Sequence, residues 1–261
     1  MTSAQSMQPE CRWKDLLTGR IMSAFVLSAM LLVFSGCSYK RLHVPLKLSS
    51  PYPQPQLWAV APFGNESGVS LVETYRISDM FTEQVQQVQG LDSIPVNRVI
   101  EAMRHLGLER VETTRDASTL MRVLGVDALI VGTVTAYDPY LPPKLGIAIQ
   151  LFHNDARASY SDLDPRALTR APTDQSVPGA SKPIKPIAQA AGVFEASNHE
   201  TLKWLKEYAR GRTLPDSAYG SDIYLVSMEL YTQFVSFRLT HDLLAFERSR
   251  LSPEEEPESM R

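Results

Sequence analysis

The sequence predicts an α/β domain: a small mixed sheet of about four to five strands with flanking helices, followed by a long C-terminal amphipathic helix. Three observations carry this. Short apolar, β-branched runs alternate with segments whose apolar residues recur at every third or fourth position. The clearest run, Val126 to Thr135, is almost continuously apolar, as expected of a strand buried on both faces. Near the end of the chain Tyr224, Met228, Tyr231, Val235, Leu239, Leu243 and Phe246 step by three or four, a helical stripe.

Leu57 to Phe63 reads as the first strand, and Gly64-Asn65-Glu66-Ser67-Gly68 as the turn that ends it. Residues 70–89 read as a helix, with Leu71, Tyr75, Met80 or Phe81, Val85 and Val88 facing inward and Gly90 as the stop. Leu91 to Pro95 is a short strand. Val96 to Leu106 is a helix ended by Gly107, and Ala117 to Leu124 is another, with Asp116 as N-cap and Gly125 as its end. Asp138 to Pro143 turns the chain, so Leu145 to Phe152 returns antiparallel to the central strand. Residues 154–186, rich in Asp, Ser, Arg and Pro, read as a long mobile insertion. Ile187 to Ser197 is a last strand and His199 to Arg210 a helix, so residues 198–248 form a C-terminal helical part. Residues 221–248 read as one helix, about six turns of it striped, long enough to project beyond so small a sheet. The acidic segment 249–261 reads as a disordered tail.

The amino terminus has the three-part layout of a secretory signal: basic residues up to Arg20, an apolar run from Ile21 to Phe34, then small Ser35 and Gly36 before Cys37. The run is short of the ~20 residues that a membrane span needs. Ser35-Gly36-Cys37 resembles the lipobox of bacterial lipoproteins, with Phe34 where that family favours an aliphatic residue. The resemblance implies that residues 1–36 are removed and that Cys37 carries diacylglycerol and a further palmitate-type acyl chain, an anchor far stronger than one chain alone. The other cysteine, Cys11, lies in the removed part, so no thiol is left for a disulfide, a metal or a nucleophile. Residues 37–56, with Pro45, Pro51, Pro53 and Pro55, read as a tether. Ser38 stands where an inner-membrane lipoprotein commonly has Asp, so the same resemblance implies the outer membrane, facing the periplasm.

Several motifs then fall in order. Ala59-Val60-Ala61-Pro62-Phe63-Gly64-Asn65-Glu66-Ser67-Gly68 resembles the opening "AV-PF-N-SG" of the TolB amino-terminal-domain-like family. Val99-Ile100-Glu101-Ala102-Met103 follows. Ala117 to Leu124 with Gly125-Val126-Asp127-Ala128-Leu129-Ile130-Val131-Gly132-Thr133-Val134 resembles its "A-x-x-LGVDYVLVGSV" block. The resemblance covers residues 57–152 and extends to a last strand, bounding a domain at 57–197. It implies a fold shared with envelope lipoproteins such as the curli-secretion channel and the penicillin-binding-protein activators, and it gives Asp127 a structural role. Channel members build their pores from long alternating β-hairpins. The insertion at 154–186 does not alternate, so a pore is disfavoured.

The chemistry of composition points the same way. The whole chain carries −3, and its first 36 residues hold three basic and two acidic groups, so the remainder carries −4. That leaves no basic excess for nucleic acid. His43, His105, His153, His199 and His241 form no metal-ligand spacing, and no phosphate-loop or nucleophile-elbow motif accompanies Gly64 to Gly68 or Ser67. The expectation is therefore a non-enzyme without cofactor or metal. It is anchored by lipid and acts as a scaffold or activator toward an envelope protein or a second copy of itself. The alternative is a subunit of a ring-forming secretion or export assembly, and a cell-wall hydrolase is a third. Candidate contact residues are Tyr137 and Tyr140 on the hairpin tip and Phe234, Phe237 and Phe246 on the last helix.

Overall fold

The structure is a computed structural model and describes residues 44–154, 185–214 and 217–252. Cys37 with its signal segment, His43, most of the 154–186 insertion and the tail from residue 253 lie outside the described residues.

The elements follow the expected order. They are β1 (Gln56–Val60), β2 (Gly64–Asn65), α1 (Thr74–Gln86), β3 (Leu91–Ser93), α2 (Val96–His105), α3 (Thr114–Leu124), β4 (Ala128–Asp138), β5 (Lys144–His153), β6 (Ala188–Glu195), α4 (His199–Ala209), a short α5 (Ile223–Val226) and α6 (Met228–Leu251). The sheet runs β3-β1-β4-β5-β6, parallel from β3 to β4 and antiparallel from β4 to β6. β2 continues the line of β1 along β4, with Gly64 opposite Thr133. Pro62 explains the gap, because it has no N–H to give the ladder. The next N–H, of Phe63, goes instead to Ser78 Oγ on α1 at 2.9 Å.

The two faces of the sheet are unequal. On one, Trp58, Val60, Ile130, Val134, Leu145, Ile147, Ile149, Leu151 and Phe194 meet α1, α4, α5 and α6. On the other, Ala59, Ala61, Leu129 and Phe152 meet Val99 and Met103 of α2 and Leu120 and Met121 of α3. β1 and β4 are buried on both sides and β5 mainly on one, which accounts for the apolar run in β4 and the alternation in β5.

Five expectations need correction. Helix α1 starts at Thr74, which leaves Leu71 outside it and exposed, and Tyr75 lies on its outer face; the inward stripe is Ile77, Met80, Phe81 and Val85. The N-cap of α3 is Thr113 and not Asp116. Thr113 Oγ1 accepts from Asp116 N at 3.1 Å while Asp116 Oδ2 accepts from Thr113 N at 2.9 Å, a reciprocal capping box. This bonding to Thr113 holds the Asp116 carboxyl below its usual range. The last helix is two helices, broken at Ser227, whose extended backbone and side chain cap α6 through Leu230 N.

The fourth correction concerns the proline-rich segment. From Leu46 to Tyr52 it lies against the domain rather than free of it. Leu48 is buried, and Ser49 bridges Gln89. Arg212 donates to Leu46 O at 2.8 Å, and Tyr52 Oη donates to Glu247 at 2.7 Å. Glu247 is fully buried near the end of α6 and is paired with Arg250, so this end of the helix is covered on one side rather than projecting free, with Phe246 and Leu251 exposed on the other. Helix α6 itself continues to Leu251, three residues past the expected end.

Candidate interaction surface

The sheet end that carries the β4–β5 hairpin tip gathers apolar side chains that the core does not absorb. Tyr137 sits at the end of β4, in register with Leu145 of β5, on the face that α1 and α6 cover. Beside it a cleft of about 260 Å³ opens between α1 and the start of α6. Leu71, Ile77, Met80, Tyr137 and Met228 line it, and Arg76 and Glu229 stand on its rim. Arg76 donates to Glu229 at 2.6 Å, tying the two helices together, but both side chains are about half exposed, so the pair contributes little to stability. Partial burial raises the Tyr137 phenol above its ordinary value, with the nearby Glu73 carboxylate adding to the effect. The hydroxyl therefore stays protonated and able to donate.

The apolar surface continues outside the cleft. Leu71 is 69% exposed, Tyr140 76% and Leu141 68%. Tyr140 is held in its turn by its own N–H, which donates to Asp138 Oδ1 at 3.1 Å. The neighbouring loop is braced internally: Asn65 Nδ2 donates to Val69 O at 2.8 Å and Ser67 Oγ to Asn65 Oδ1 at 2.7 Å. Ser67 thus serves the loop, and the Gly64 to Gly68 segment is a turn in which Gly68 takes a positive φ.

The candidate contact residues separate into two groups. Tyr137 and Tyr140 lie together at this end. Phe234 and Phe237 do not offer a surface, because both are buried. Tyr208 of α4 packs at a tilt 5.8 Å from Phe234 and 4.9 Å from Phe237, and Tyr224 of α5 packs edge-on to Tyr208 at 5.5 Å. The second apolar arc of α6 is covered by the chain's own helices. Phe246 is 51% exposed but lies roughly 27 Å along α6 from the cleft, counting 1.5 Å per residue. Leu71, assigned to the core by its spacing, is the surface residue that the sequence pattern misplaces. The signal that could have found it is Ile77, four residues before Phe81, which sets the helical phase without Leu71.

The remaining polar candidates are structural in their contacts. Asp127 Oδ2 accepts from Leu57 N at 2.9 Å while Asp127 N donates to Leu57 O at 2.8 Å, clamping β1 to the start of β4. His105 pairs with Glu101, His241 with Asp242, and His153 stacks on Tyr52 at 5.8 Å. Among the described residues no three His, Cys, Asp or Glu side chains gather as a metal would need, and no helix is long and apolar enough to cross a membrane.

No protein-family model matches the chain, and no curated protein matches it. Solved structures do. The C-terminal domain of LpoB from Salmonella enterica is 12% identical, with a TM-score of 0.34 over 54% of this chain and 82% of that one. Lipoprotein GNA1162 from Neisseria meningitidis is 17% identical, with a TM-score of 0.34 over 55% of this chain and 86% of that one. The hypothetical protein CT253 from Chlamydia trachomatis is 9% identical, with a TM-score of 0.39 over 73% of this chain and 97% of that one. The structural neighbours thus include a lipoprotein, and the likeness at these scores assigns no function.

Proposed function

We propose that this chain is a lipid-anchored protein of the bacterial cell envelope that works by binding another envelope protein, as a scaffold or activator without catalysis. The observation that carries the binding role is the exposed apolar surface at one end of the sheet, with Leu71 and Tyr137 lining a cleft and Tyr140 and Leu141 on the hairpin tip. Arg76 and Glu229 on the rim supply polar contacts to orient the partner. Ser35-Gly36-Cys37 supports the anchor, with Cys37 as the attachment site and the outer membrane, facing the periplasm, as the location.

Two variants test the two halves of this reading. Cys37→Ser should release the protein from the membrane or leave it as precursor, and mass spectrometry of an unmodified wild-type Cys37 would remove the anchor. Leu71→Asp combined with Tyr140→Asp should keep the fold, since both positions are exposed, and should abolish in-cell crosslinking to its envelope partner. Unchanged crosslinking by this double variant would remove the cleft from the binding role.

A further inference from the structure

Strand β6 ends the sheet. Its eight residues pair with β5 and with no other strand among the described residues, and their register with β5 runs without a shift from Ala188 to Glu195. The opposite edge, β3, is three residues long. Long edges are normally blunted by lysine, proline or a bulge, because their free N–H and C=O groups invite another strand. The sequence of β6, Ala-Gln-Ala-Ala-Gly-Val-Phe-Glu, contains neither lysine nor proline.

The hydrogen-bond phase says which groups are free. Asn154 N donates to Asp127 O at 2.8 Å and Ala196 N to Pro143 O at 2.9 Å. Residues of an antiparallel strand direct both backbone groups to one side in alternation. The even-numbered residues of β6 therefore bond to β5, and Gln189, Ala191, Val193 and Glu195 present N–H and C=O outward. Their side chains share the face that α2 and α3 leave uncovered, where Gln189 and Ala191 are exposed and Val193 is 60% exposed.

This edge is complementary to itself. A twofold axis through Gly192 places Gln189 opposite Glu195 of the second copy and Ala191 opposite Val193 of the second copy. All four outward residues then pair, giving about eight backbone hydrogen bonds across the joint. The single charge of the strand, Glu195, meets a neutral amide that can donate to it, and its own Lys144 at 3.2 Å remains its counter-ion. No like charges oppose. Centring on Ala191 instead would set Glu195 against Ile187. Gly192 falls on the axis, at a non-hydrogen-bonded position where strands approach most closely. A Cβ there would stand 3.0 Å from the Phe194 ring, so glycine keeps that position clear.

We propose that β6 joins β6 of a second copy, antiparallel about Gly192, so that one sheet runs through two molecules. This goes beyond the binding role of the cleft and stands independently of it.

Sedimentation of the full chain in detergent tests the joint. The wild type should be a dimer at micromolar concentration. Ala191→Pro removes an outward N–H and leaves the ladder to β5 intact, and Val193→Lys places a charge in the joint on an exposed site. Each should weaken dimerisation at least tenfold. Should Ala191→Pro fail to fold, Val193→Lys decides. Oxidation of the Ala191→Cys, Val193→Cys double variant should give a covalent dimer, whereas Gln189→Cys alone should not. The Leu71→Asp, Tyr140→Asp variant should dimerise like wild type, which separates this test from that of the cleft. A monomeric wild type, a dimer indifferent to both β6 variants, or a β6 edge occupied only by a strand of another protein would each overturn the proposal.

Discussion

Among the described residues, one face of the sheet is roofed from edge to edge, and the other is roofed over half its width. Helices α1, α4, α5 and α6 cover the first, where aromatic residues interlock from Phe194 through Phe234 to Tyr208. Helices α2 and α3 cover the second over β1 and the start of β4. The difference is written in side-chain size. β5 sends Leu145, Ile147, Ile149 and Leu151 to the roofed face and Lys144, Gly146, Ala148 and Gln150 to the other, where only Phe152, at the end that α2 and α3 cover, is large, while β6 adds Gln189, Ala191 and Val193 there. A face of small and polar residues gives a helix little apolar area to bury at about 25 cal/mol per Å². Among the described residues such a face is left without a helix over β6.

The largest expected effect separates buried from open positions on a single helix. Val235→Asp puts an unpaired carboxylate at a site with 0% exposure and should cost about 3 kcal/mol or more, or raise that carboxyl's pKa until it is neutral. Phe246→Asp, eleven residues further along at an exposed site, should change stability by no more than about 0.5 kcal/mol. Urea unfolding of both variants measures the contrast, and equal losses would mean that the roofed face reaches Phe246.

Gly132→Ala should come next. A Cβ at Gly132 would stand 2.6 Å from the Phe63 ring, which is itself packed 5.5 Å from Phe81. Neither ring has room to retreat, and overpacking of this kind costs about 1–3 kcal/mol. Tm measured by calorimetry should fall accordingly. An unchanged Tm would show that this part of the core is looser than its contacts imply.

Alkaline pH probes the same face without a mutation. Burial pushes the Tyr208 phenol up to about 12. Burial also raises Tyr231, and burial together with the hydrogen bond to Glu247 raises Tyr52. In the unfolded chain these groups release their protons near pH 10. Above that pH the folded state binds more protons than the unfolded one, so stability falls as pH rises from about 10 toward 12 and is unaffected by these groups below about 9. Urea midpoints across this range should decline; a flat profile would mean that the phenols are solvated.

The smallest effect is expected at Tyr231. Its hydroxyl is buried with no hydrogen-bond partner among the described residues. Tyr231→Phe removes that unsatisfied group and should be neutral or stabilising by up to about 1 kcal/mol. A loss of stability would show that the hydroxyl has a bonded partner after all.

Much of this architecture was legible in the chain. Val126 to Thr135 announced the central strand because residues buried on two faces must be apolar at every position. Gly125 marked the end of α3 because its left-handed φ of 67° suits glycine. The hairpin tip with Tyr137 and Tyr140 was visible from the prolines that bound it. Less was legible where apolar residues lay on two sides of one helix. Phe234 and Phe237 had the spacing of a second surface, and they prove to be buried against Tyr208. Leu71 had the spacing of a core residue and lies outside the helix that would have turned it inward.

The sequence by itself determined the order of strands and helices, the glycine stops and turns between them, and the unequal sizes of the side chains that β5 turns to its two faces. These are local properties, set by backbone preference and by alternation along one segment. Only the tertiary structure decided which helix covers which arc of α6, that Leu46 to Tyr52 lies against the domain through Arg212 and Glu247, and that β6 ends the sheet among the described residues. Each of these depends on contacts between residues far apart in the chain. An apolar spacing states that a face is buried, and the partner that buries it is settled only when the distant segments meet.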